Sequence, residues 1–365
     1  MPELPVATLM GILGALAGLV IGFVARRLKF CTLSSIESAL YGNNWVQARS
    51  WGLAIAVAIL STHLLDHYGF IQIGESFHLS PRIAIAGPIV GGIMFGMGMA
   101  AVGTCGFGAV LRSAGGDMRA AMVLITVAVF GYMTMRGIIG VMRMAVIEPF
   151  TIPLEEGYDA SFAALTAQFL GGEIADFRLV TAIVISLLIA VWCLKDRKFR
   201  SNPAAVAGGT IVGLIVAFGW FSTGYIGADD FDPQPLRSLG FVSPSAESLV
   251  YLMTFTGATI EFGIGATFGT VAGGFLAAIS RRQFRLEAFD DPREMLRHLI
   301  GAAMMGIGGV TAIGCTVGQG LSGVSTLAIP SFVALASIIV GAIIGLKLLM
   351  HGGLIMSVRT FLHGE

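Results

Sequence analysis

Long apolar runs alternate along the chain with short polar stretches, and the lengths of the runs set the first expectation. At 1.5 Å of rise per residue, a helix needs about 20 apolar residues to cross the hydrocarbon core of a bilayer. Runs near that length lie at Val6–Ala25, Trp51–Leu65, Ile83–Val102, Ala120–Met142, Leu179–Leu194, Ala204–Phe221, Gly257–Ile279, Leu299–Ile313 and Pro330–Leu349, which makes nine. Ala160–Leu170 and Ser248–Phe255 are apolar but too short to cross, and read as half-helices or interfacial segments. The pattern predicts an all-α polytopic membrane protein with about nine transmembrane helices and short re-entrant half-helices.

Composition agrees and removes other classes. The chain has 365 residues, 55% hydrophobic and only 12% charged, where a soluble domain carries about 25% charged residues. Lys and Arg number 22, as do Asp and Glu, so there is no basic excess for nucleic acid. The 50 glycines point to close helix contacts and broken backbone. Four cysteines without a CxxC pair read as free thiols. No Walker loop, dinucleotide fingerprint or nucleophile elbow appears, so neither a cofactor nor an enzymatic activity is expected. His63 and His67 have i, i+4 spacing but no third ligand nearby, which is a weak basis for a metal site.

Charge sets the expected orientation. Arg26, Arg27 and Lys29 follow the first apolar run, the reverse of a cleavable signal peptide, so Val6–Ala25 is read as a retained span. Basic clusters fall at Arg26–Lys29, Lys195–Arg200 and Arg281–Arg285, and acids at Glu148–Asp159 and Asp229–Asp232. Nine spans with the N-terminus outside and the C-terminus in the cytoplasm place every basic cluster inside and both acidic loops outside.

Two glycine-rich stretches each hold one cysteine: GTCGFGAVLRSAGG (Gly103–Gly116) and IGCTVGQGLSG (Ile313–Gly323). At an offset of 210, Gly91, Met94, Gly96, Gly98, Cys105, Gly108 and Leu111 meet identical residues, ending on Cys315, Gly318 and Leu321. Five crossings separate the equivalent helices, so the copies would be antiparallel. That predicts a pseudo-symmetric inverted repeat within one membrane transport domain: residues 1–160, a linking segment and span over 161–203, and residues 204–365. Re-entrant segments from opposite faces would carry Cys105 and Cys315 to a meeting point near the midplane, where backbone N–H groups favour an anion. Gly103, Gly106, Gly108, Gly314, Thr316 and Gly318 form the supporting loops. Arg112 is either an attractor for that anion or a solvated loop cation. Cys31, in RRLKFCTLSS, reads from pattern alone equally well as a site thiol or an ordinary interfacial residue. Cys193 reads as packing. Glu261 lies near a span end and reads as interfacial.

The stretches KFCTLSS, FGMGMAAVGTCGFGAVLRSAGG, MGIGGVTAIGCTVGQGLSG, GWFSTGYIGADDFDPQPLRSLGF and YLMTFTGATIEFGIGATFGTVAGGF resemble the YeeE/YedE family of membrane proteins, and the likeness covers most of the chain. The resemblance implies a bacterial inner-membrane carrier that takes up thiosulfate, with Cys31, Cys105 and Cys315 lining the path. It extends to relatives that handle other sulfur or selenium species and to a separate TusA-like sulfur-transfer partner. Glu261 departs from the uncharged polar residue the family pattern implies at its position. A membrane thiol enzyme and a soft-cation carrier built on Met94, Met97 and Met99 are the competing readings of the same residues.

Overall fold

The computed structural model describes residues 5–153, 158–229 and 234–350. Parts of both acidic loops (154–157 and 230–233) and the expected cytoplasmic C-terminus (351–365) lie outside the described residues. The helices are α1 (Val6–Leu28), α2 (Thr32–Leu40), α3 (Val46–His67), α4 (Ala86–Val102), α5 (Gly106–Ser113), α6 (Met118–Arg136), α7 (Ile138–Val146), α8 (Phe162–Leu170), α9 (Ile174–Leu194), α10 (Arg197–Arg200), α11 (Pro203–Phe221), α12 (Ser243–Met253), α13 (Phe262–Ser280), α14 (Pro292–Thr311) and α15 (Ile329–Met350). The strands β1 (Arg82–Ala84) and β2 (Thr151–Pro153) pair antiparallel, with Ile83 opposite Ile152.

Eight helical stretches among the described residues are long and apolar enough to cross a membrane, and the chain is an all-α multi-pass membrane protein. Three of the eight join a long helix to a shorter helical segment after it, Val6–Leu40, Ala86–Ser113 and Pro203–Ile226, the last through a π-helical turn over Ser222–Ile226. The difference from nine lies in Leu299–Ile313. That run forms the later part of α14, whose first turns carry Arg293, Glu294 and Arg297, so its apolar portion is shorter than a full span. The Ala120–Met142 run also divides, because Gly137 takes extended backbone (φ −106°, ψ −163°) between α6 and α7.

Glycines set the helix contacts. A methyl added at Gly91 would strike Gly308 O and Ala312 N, and one at Gly98 would strike Gly301 O. The order reverses along the two helices, so α4 and α14 pack antiparallel, backbone against backbone. Gly14, Gly18 and Gly22 face Phe262, Ala266 and Thr270 in ascending order, which makes α1 and α13 parallel. Contact this close between helices requires small residues. α9 lies at the periphery, with Leu187 and Leu188 exposed where lipid would cover them.

α4 and α14 break in the same way. Gly103 ends α4 with φ 77°, and Ile313, its counterpart at the offset of 210, follows α14 with φ 61°. Two residues later comes a cysteine and then a new helical segment: α5 in one case, a π-helical turn over Gly318–Gly323 in the other. The cysteine stretches are therefore a short break followed by helix, rather than long glycine loops.

Candidate functional site

Each of the three cysteines sits at the start of a helical segment. Cys105 is the N-cap of α5, with extended backbone, and its Sγ accepts from the Gly108 N–H at 3.3 Å. Cys315 Sγ accepts from the Gly318 N–H at 3.4 Å, while its carbonyl receives the Gln319 N–H at 2.7 Å. Cys31 is the extended N-cap of α2; its sulfur faces the Leu33 and Ser34 amides without closing a cap bond of that geometry. Such caps satisfy orphan N–H groups at a helix start. Where the sulfur lone pair is so engaged, at Cys105 and Cys315, a neutral thiol still has its S–H as a weak donor.

The fold brings these residues together from distant parts of the chain. The Cys31 and Cys105 thiols face one another as an interacting pair, and Cys105 also feels Cys315. Cys105 is wholly buried. Two cavities of about 390 and 450 Å³ border Cys31, and share Lys29, Phe30 and Arg281 as well. The larger reaches Gly103, Thr104 and Gly108 beneath Cys105, with Arg26 and Arg112 on its wall. Arg26 donates to Leu111 O and so braces α5.

Cys315 borders a separate cavity of about 80 Å³, lined also by His78, Arg237, Gly240 and Ser322. It lies towards the opposite end of the bundle: α3 starts beside the Cys31 cavities, and the His78 segment follows the far end of α3. Between the two sides, the buried Phe107 and Phe241 rings meet at 4.6 Å, and Val242 packs within reach of Gly106 and Gly309. The Leu239–Val242 segment is thus a wall across the line of thiols.

The remaining expected residues fall as follows. Gly108 supplies the cap N–H, and a methyl there would strike Thr104 Oγ1. Gly314 has φ 155°. Thr316 is fully buried and its Oγ1 has no partner. Arg112 is exposed on a cavity wall. Cys193 is buried against Leu53 and Phe199, away from the other thiols. His63 Nδ1 donates to Ile59 O at 3.0 Å, and Asp66 pairs with Arg178 at 3.6 Å.

Sequence reasoning missed the charged group beside Cys315. Arg237 donates to both carboxylate oxygens of Glu247, at 3.2 and 3.3 Å, and to Glu261. Glu261 is the N-cap of α13 and 38% exposed in its side chain. It also missed His78, which is buried; burial pushes that imidazole down to about 3 and keeps it neutral. Neither residue belongs to a motif; only Arg237 lay inside a stretch that carried the family likeness.

Comparison with known proteins bears on this site. The thiosulfate transporter TsuA of Escherichia coli (strain K12) is 25% identical over 348 residues, covering 90% of this chain and 91% of the relative. The thiosulfate transporter TsuA of Spirochaeta thermophila is 24% identical over 347 residues, covering 90% and 96%. Residues 27–344 match the model of the Sulphur transport family, a span that takes in Cys31, Cys105, Cys315 and the Leu239–Val242 segment, and the chain belongs to that family.

Proposed function

We propose that this protein is a transporter that takes thiosulfate up across the bacterial inner membrane into the cytoplasm, passing it along Cys315, Cys105 and Cys31. The observation that carries the reading is that the Cys31 and Cys105 thiols interact beside one cavity system while Cys315 borders a second cavity beyond the Leu239–Val242 segment. Thiosulfate is a dianion with a polarisable terminal sulfur. A neutral S–H is a weak donor suited to that sulfur, whereas a thiolate would repel it. Weak contacts at successive stations allow the ion to leave as well as enter, as conduction requires. The reading is of transport without covalent turnover, hence not of an enzyme.

The basic cavities around Cys31 are assigned to the cytoplasmic side, with the N-terminus outside, in keeping with the loop charge bias. The matching breaks at Gly103 and Ile313 and the antiparallel packing of α4 on α14 support an inverted repeat over 1–160 and 204–365. A TusA-like sulfur-transfer protein is proposed as the cytoplasmic recipient.

Uptake of ³⁵S-thiosulfate by cells lacking other thiosulfate carriers tests the reading, at matched membrane expression. Cys105→Ala and Cys315→Ala are expected to lower uptake by roughly ten- to a hundredfold, the cost of losing a hydrogen bond to a charged group. The same loss in the serine variants would show that sulfur itself is required. Full uptake by all three Cys→Ser variants would remove the need for thiols, and a persulfide accumulating on Cys31 or Cys105 would replace transport with covalent chemistry.

A further inference from the structure

The cavity at Cys315 poses a recognition problem that the thiol alone does not answer. An anion with oxygens needs donors, yet the one guanidinium on this wall is engaged by Glu247 and Glu261. Of the buried hydroxyls that line the cavity, Ser238 donates to Val216 O at 2.6 Å and Ser322 to Leu239 O at 2.7 Å. Among the described residues His78 differs. It is 93% buried by the complement of its 7% exposure, it lines the cavity with Cys315, and its ring Nδ1 has no hydrogen-bond partner. Its backbone N–H is held by Ser76 Oγ at 3.3 Å, and its ring lies against Phe77 and edge-on to Trp220, so the imidazole is presented by a packed wall.

We propose that His78 is a specificity-determining residue of the Cys315 cavity: its neutral imidazole donates a hydrogen bond to the oxygens of the transported anion while the Cys315 thiol faces the terminal sulfur. This deepens the transport reading above and rests on it. A neutral imidazole carries one N–H in either tautomer. Leaving it without a partner in a buried site costs free energy, which an arriving oxyanion relieves. Because the donor has no charge, it recognises the dianion without holding it as a buried cation would, and passage stays possible. His78 and Cys315 line the same cavity of about 80 Å³, so a small anion held there lies beside both.

The experiment is ³⁵S-thiosulfate uptake into proteoliposomes by the purified full chain, as unsubstituted protein, His78→Phe and His78→Gln, each checked for monodisperse elution. Expected is a KM raised roughly ten- to a hundredfold in His78→Phe, with the maximal rate nearly kept, and a KM largely restored by the donor in His78→Gln. An unchanged KM in His78→Phe, beside normal uptake by the unsubstituted protein, overturns this assignment alone. Equal impairment of Gln and Phe variants also overturns it. No uptake by the unsubstituted protein overturns the transport reading and this one with it. If His78→Phe does not fold, ¹⁵N-histidine NMR of the unsubstituted protein decides: thiosulfate is expected to shift a neutral imidazole signal that His78→Gln lacks, and the absence of such a shift overturns the proposal.

Discussion

Around Cys31 the chain gathers Arg26, Lys29, Arg112 and Arg281 on the walls of cavities of about 390 and 450 Å³, with Glu37 as the acid among them. Around Cys315, Arg237 stands against Glu247 and Glu261 beside a cavity of about 80 Å³. The wide side has an excess of positive charge, which attracts anions of any shape through the local potential. On the narrow side the carboxylates offset the guanidinium, so attraction by charge is weak and recognition falls to short-range donors. Under the proposed function, the contrast separates two tasks that one basic pore would merge: discriminating an anion and drawing it onward.

Removing charge at each side sharpens the comparison. Arg237→Gln leaves two carboxylates unopposed at the narrow side, and thiosulfate uptake is expected to fall by about tenfold, a focusing effect that steepens at low ionic strength. Replacing Glu247 and Glu261 with Gln in the same variant should restore most of the uptake. Arg112→Gln with Arg281→Gln at the wide side should cost less, about two- to threefold, because Arg26 and Lys29 remain. Equal losses at both sides in ³⁵S-uptake assays would mean that the charge contrast has no part in transport.

Acid should act through the narrow side as well. Burial holds the folded-state value of His78 at about 3, below its ordinary 6.5. Between those values the unfolded chain binds a proton that the folded chain does not, so stability rises with pH and is lost as pH falls below about 6.5. Thermal unfolding in detergent should therefore show a shallower acid loss in His78→Gln than in the unsubstituted protein. The smallest expected effect is at the break before Cys315. Ile313 is β-branched and held at φ 61°, where a side chain is strained; Ile313→Gly should stabilise the fold by about 1 kcal/mol in the same unfolding assay. Its counterpart Gly103 already has the permissive residue, and Gly103→Ile should destabilise.

Much of the helical layout was legible because hydropathy and length are local properties. Pro203–Phe221 and Ile329–Met350 lie within one residue of the apolar runs that predict them at each end. Errors arose where local composition misleads. The glycines of 318–323 suggest loop, yet the segment is helical, since buried packing overrides the low helix propensity of glycine. Gly137 interrupts a continuous apolar run, a backbone choice that hydropathy does not register. At the site, Cys105 and Cys315 were visible through their matching surroundings. Cys31 was ambiguous in pattern because its partner is 74 positions away, and the pairing exists only because the fold brings the Cys31 cap of α2 to the Cys105 cap of α5.

The sequence by itself determined that this chain lives in a bilayer, that its thiols are free, and that two cysteine stretches share one design. Those properties follow from apolar run length, residue spacing and repetition. The tertiary structure alone decided that Cys31 meets Cys105, that Phe107 and Phe241 pack between that pair and the Cys315 cavity, and that Arg237 is balanced by carboxylates from two other segments. It also decided that His78 enters the Cys315 cavity from a short segment some 240 positions earlier in the chain. The physical reason is that these contacts arise from helices packed at glycine faces, and such packing joins residues whose separation along the chain carries no periodic signal.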